Sequence, residues 1–156
     1  MRFFSSDVVD MLERAGWESG RHVAIDDLTG SLRSFGFAVS EAAIDFLTEF
    51  AFIRLEHEPS IVLNAKKSFC WTSFDPAVVA TRRDARISDR CSSVVGKSLC
   101  PVGTDGFHFT IYVAGDGSFF AGRDASVFQY GESVEVLLRA ICNGVRPTKI
   151  SEWIIE

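Results

Sequence analysis

Residues 107–121 read Phe107-His108-Phe109-Thr110-Ile111-Tyr112-Val113-Ala114-Gly115-Asp116-Gly117-Ser118-Phe119-Phe120-Ala121. The first seven are almost all aromatic or β-branched, the residue types that suit a pleated strand. Gly115-Asp116-Gly117 then supplies a tight turn, and aromatic residues resume at once. The stretch predicts a β-hairpin. Short connections on either side favour antiparallel pairing.

Working outward, Leu99-Cys100-Pro101-Val102-Gly103 predicts another extended segment. Pro101 places it at an edge or a strand start, because proline has no N–H for a ladder. After the hairpin, Val134, Leu137, Leu138 and Ile141 recur at helical spacing from Glu132 or Ser133, and Asn143-Gly144 ends the run. Residues 145–156 form a tail with Pro147 and Trp153 and no assigned structure. Upstream, 52–58, 61–64 and 69–74 read as strands, with Pro59-Ser60 as a turn. Asp75-Pro76 is a helix start, Asp as N-cap and Pro in the first turn, for a helix over 76–85. The polar tract 86–98 reads as a loop or short helix. Before all of this come three amphipathic helices, over 6–15, 26–35 and from the cap Ser40 to about 51. The order predicts an α+β fold, with an antiparallel or mixed central sheet of about six strands and helices packed against it. Residues 1–156 read as a single domain.

The chain has 156 residues, 47% of them apolar and 24% charged, ordinary values for a globular protein long enough to bury a core. No apolar run reaches membrane-spanning length, and the first residues lack a signal-peptide pattern, so a cytoplasmic protein is expected. The net charge is −5, distributed as −6 over 1–65, +4 over 66–97 and −3 over 98–156. Such a balance disfavours nucleic acid and suits a basic partner. Cys70, Cys91, Cys100 and Cys142 show no C-x-x-C spacing, and His22, His57 and His108 are scattered. No metal site and no cofactor is expected; the cysteines read as reduced, buried thiols.

Catalytic patterns are missing: no nucleophile elbow, no zinc-protease helix, no phosphate loop, no dinucleotide fingerprint. Cys100 with His108 is the one nucleophile–base pair worth weighing, and a half-buried strand cysteine is the better reading. Glu56 and Glu58 share one strand face, with His57 pointing the other way, and read as a solvated acidic face. Arg82, Arg86 and Arg90, with Arg83 adjacent, would make a basic helix stripe, read as solvated and partly paired with Asp84 and Asp89. No aromatic stacking platform adjoins it. Trp17 and Trp71 read as packing residues before interface anchors; Trp153 is less clearly core.

One further stretch, Ala15-Gly16-Trp17-Glu18-Ser19-Gly20-Arg21, joins the first two helices as a corner. Gly16 is a C-cap, Trp17 offers a ring past the helix end and Gly20 allows a second bend. This corner, Phe35-Gly36-Phe37, the Leu99–Gly103 segment, Asp116-Gly117 and the final helix from Gly131 to Gly144 follow in an order that resembles the SUKH superfamily, specifically its third branch of bacterial immunity proteins. The resemblance covers about residues 3–144. It implies a non-enzymatic protein that binds and neutralises a cognate toxin domain of a bacterial polymorphic toxin system, a nuclease or another cytosolic enzyme. It transfers no catalytic residue. Some branches of the superfamily are regulatory scaffolds or adaptors, and that alternative stays open. For a basic toxin, Glu56, Glu58, Asp105 and Asp116 are the expected partner-binding acids.

Overall fold

The computed structural model describes residues 3–57, 70–76, 82–106, 109–123 and 125–153. Three helices open the chain: α1 (Ser6–Arg14), α2 (Asp26–Ser34) and α3 (Glu41–Phe50). Val8, Met11 and Leu12 of α1 and Ala43, Phe46, Leu47 and Phe50 of α3 are buried as their spacing predicts; in α2 Leu28 and Leu32 are buried with Ile25, but Phe35, the last member of the expected stripe, is exposed at the C-cap. Ser40 caps α3, its Oγ accepting the Ala43 N–H at 3.2 Å. The remaining elements are β1 (Arg54–His57), β2 (Cys70–Ser73), α4 (Arg82–Val95), β3 (Leu99–Asp105), β4 (Thr110–Ala114), β5 (Phe119–Arg123), β6 (Ser126–Gly131), α5 (Val134–Cys142) and β7 (Thr148–Glu152).

The seven strands form one sheet in sequence order, and each neighbouring pair is antiparallel. The expected hairpin is β4–β5, with Ile111 opposite Ala121 and Val113 opposite Phe119. Gly117 turns it at φ +88°, a conformation that favours glycine. Phe107 and His108, and the expected strand 61–64, lie outside the described residues.

Helices cover both faces. On one, Leu55, Cys100, Val102, Ile111, Val113 and Phe119 join the apolar stripes of α1, α2, α3 and α5. Phe46 is central there, its ring centroid 5.0 Å from Phe50, 5.0 Å from Phe74 and 5.2 Å from Phe119. On the other face, Leu99, Tyr112, Ala114, Phe120 and Val127 pack with Cys91, Ile87 and Val95 of α4. A strand covered on both faces has no solvent side, which is why every residue of β3 is buried.

Three expectations are corrected. Among the described residues the sheet has seven strands rather than about six: 126–131 and 148–152 each add one, and the expected strand 61–64 is not among those described. The helix expected over 76–85 extends to Val95, through the tract read as a loop or short helix, and is described from Arg82 on; residues 77–81 lie outside the described residues. Its apolar contacts with the far-face core are Ile87, Cys91 and Val95 at spacing four, and the buried Ser88 beside them and the arginines and aspartate around them hide that period. The tail contains β7, whose Thr148, Lys149, Ile150 and Glu152 are exposed, so no alternation announces a strand.

Candidate functional site

The Gly16–Arg21 corner has a structural task. An α-helix ends with carbonyls that have no donor within the helix. The Arg21 guanidinium donates to two at the end of α3, Glu49 O at 2.6 Å and Ala51 O at 2.8 Å. Trp17 Nε1–H donates to the Glu49 carboxylate at 3.1 Å, and the Val23 N–H donates to Thr48 O at 2.8 Å. The last turn of α3 has no basic residue of its own, so Arg21 brings in the positive charge its dipole favours. Gly16 and Gly20, at φ +96° and +84°, let the chain bend to place both side chains.

A cavity of about 100 Å³ lies where α5 ends over the sheet. Strand register builds its floor. Thr72 lies opposite both Leu55 and Asp105, and His57, two residues after Leu55, faces the same way. On the neighbouring strands the row continues through Phe109, which precedes β4, and Arg123 and Tyr130. The roof is Ala140, Ile141 and Gly144–Pro147. His57 Nε2 and Thr72 Oγ1 are 2.8 Å apart in a hydrogen bond. The Asp105 carboxylate accepts the Phe109 N–H at 3.0 Å, while Phe109 O accepts from the Thr104 hydroxyl at 2.9 Å and the Asp105 N–H at 3.1 Å. The Phe109 ring meets Phe128 edge-on at 4.9 Å, and the Arg123 guanidinium lies 4.9 Å from its centroid. Burial first, and then the Asp105 charge, push the Tyr130 phenol up, so its hydroxyl stays protonated and able to donate.

The four expected partner-binding acids are not brought together. Glu56 is exposed on β1, opposite Trp71 and on the face away from His57, as the alternation predicts. Glu58 lies outside the described residues. Asp105 is only 8% exposed and belongs to the cavity floor. Asp116 is exposed at the β4–β5 turn, where the Lys97 ammonium at 2.7 Å, followed by bonds from Ser118, holds its carboxyl well below the usual range. Asp116 and Asp105 lie at opposite ends of β3 (Leu99–Asp105), roughly 20 Å apart at strand rise.

Other candidates resolve physically. Cys100 is 1% exposed, and burial pushes its thiol up to about 12, the wrong direction for a nucleophile. Cys91 is likewise pushed up to about 11. His108 lies outside the described residues, as do the side chains of Arg82 and Arg83. Arg86 is exposed, and the Arg90 guanidinium stacks 5.5 Å from the Trp153 centroid. Trp17 packs on the main core, and Trp71 is half-buried under the Arg54 guanidinium at 4.7 Å. Among the described residues no His, Cys, Asp and Glu group is placed to hold a metal, and no helix is long and apolar enough to cross a membrane.

Sequence reasoning named only Asp105 of the cavity residues as a binding residue. Thr72, Arg123 and Tyr130 come from separate strands with no common spacing and are brought together by register, while Arg146 joins them from the segment after α5.

The family model described as SUKH-3 immunity protein matches residues 4–144. No curated protein and no solved structure matches the chain.

Proposed function

The chain belongs to the SUKH-3 immunity protein family, and from that premise we propose that it binds one cognate toxin domain and neutralises it by protein–protein contact, without catalysis. The observation that carries this is the extent of the match: residues 4–144 take in all five helices and the first six strands. Burial of Cys100 supports a non-enzymatic reading, since its thiol is neither ionised nor accessible. We assign the steering of a basic toxin, a nuclease or another enzyme acting in the cytoplasm, to the acidic surface, with Glu56, Glu58 and Asp116 among its acids. Asp105 contributes from the cavity floor.

The test is capture of a toxin domain by the tagged chain from its native cell, followed by co-expression of the two. The expected outcome is rescued growth and a stoichiometric complex in which the toxin's activity is blocked. A toxin that still kills, with no complex by size-exclusion chromatography, overturns the reading.

A further inference from the structure

The cavity under the end of α5 combines positive charge, aromatic stacking and a protonated hydroxyl. The protein is acidic, with a net charge of −5, yet this cavity is lined by two arginines against one aspartate. Arg123 and Arg146 form no ion pair with a described residue. Arg123 is stacked on Phe109, and Phe109 is clamped by three hydrogen bonds and by the Phe128 ring. A guanidinium stacked by its face keeps its N–H edge available for a planar or tetrahedral anion. Tyr130 adds a hydroxyl that stays protonated, next to the His57–Thr72 pair.

The one anionic group is already engaged, since Asp105 accepts the Phe109 N–H. The roof does not compete for donors either. The Gly144 and Val145 N–H groups close the end of α5 onto Ile141 O and Ala140 O. What remains at the mouth is donor-rich, and the two guanidinium charges outweigh the Asp105 carboxylate and the partial negative charge of the α5 C-terminus. A volume of about 100 Å³ is below the about 150 Å³ that holds a benzene, and it admits a carboxylate or phosphate group.

We propose that this cavity is a binding site for an oxyanion, held by Arg123 and Arg146 at the rim and by the Tyr130 hydroxyl within. The shared chemistry is that of an acidic group, a carboxylate or a phosphate. The inference does not rest on the toxin-binding reading, because the anion is held by Arg123, Arg146 and Tyr130, none of which that reading uses.

The test is an amide NMR titration of the full chain, with inorganic phosphate in one arm and acetate in the other. Saturable shifts at Arg123, Gly144 and Val145 are expected in at least one arm, and the arm that responds identifies the source. In Arg123→Ala/Arg146→Ala, affinity is expected to fall about tenfold or more, with loss of two charge-assisted partners. Arg86→Ala removes a charge from α4 on the other face of the sheet and is expected to bind as the wild type does. Non-saturating shifts in both arms, or equal weakening by Arg86→Ala, overturn the proposal. Both arginines are exposed, so the double variant is expected to fold, and its unchanged amide spectrum away from the cavity checks this.

Discussion

At Arg21 a single guanidinium closes two carbonyls that the end of α3 leaves open, and it does so from a different part of the chain. The planar fork matters, because its two N–H groups reach Glu49 O and Ala51 O together. Arg21→Ala is expected to lower unfolding stability by about 2 kcal/mol, the cost of two charge-assisted bonds whose acceptors partly regain water. Arg21→Lys, with one compact ammonium, is expected to recover less than half of that. Urea denaturation of the three proteins decides it; equal midpoints for wild type and Arg21→Ala would show the contact to be idle. Gly16, Trp17 and Gly20 were readable in sequence as a corner, since two glycines around an aromatic leave few other shapes. That Arg21 serves α3 was not, because its acceptors lie 28 and 30 residues away.

Elements differ in how openly the sequence declares them. β4 and β5 carry aromatic and β-branched runs buried on both faces, and the turn between them is spelled by Gly115 and Gly117. α4 hides because, as the one described helix on its sheet face, it makes its apolar contacts through the narrow stripe Ile87, Cys91 and Val95. β7 hides for the opposite reason. An exposed edge strand favours polar residues, and Lys149 and Glu152, paired at 2.5 Å, discourage pairing with other chains. What fastens β7 is its end. The Trp153 N–H donates to Ala125 O at 2.7 Å, and the indole packs on the α4-side core beneath Arg90. Trp153→Ala is therefore expected to cost about 1–2 kcal/mol from lost burial and the cation–π contact. Amide exchange in β7 should accelerate while α1 and α3 keep their protection. Uniform loss of protection would mean that β7 does not open separately.

For the molecule as a whole, the layout of charge bears most directly on function. The cavity residues were beyond sequence reading because register across six strands, not spacing along one, assembles them. The acids pose the converse problem: Glu56, Asp105 and Asp116 looked like one set, yet Asp105 is buried and the other two lie at opposite ends of the sheet. That separation makes the steering proposal testable. Asp116 and Asp105 stand roughly 20 Å apart along β3, and Glu56 lies at the Asp105 end. At physiological salt the Debye length is about 8 Å, so each acid acts on a partner approaching its own end. In 0.01 M salt it is about 30 Å, and both ends act together. At physiological salt, one of Glu56→Lys and Asp116→Lys is expected to slow toxin association severalfold while the other leaves it unchanged. At low salt both should slow it, and the difference between them should shrink. Stopped-flow association at the two salt concentrations separates the cases. The slower variant identifies the end of the sheet that meets the toxin. If neither reversal alters the rate even at low salt, the acidic surface does not steer the encounter, and contact chemistry alone selects the partner.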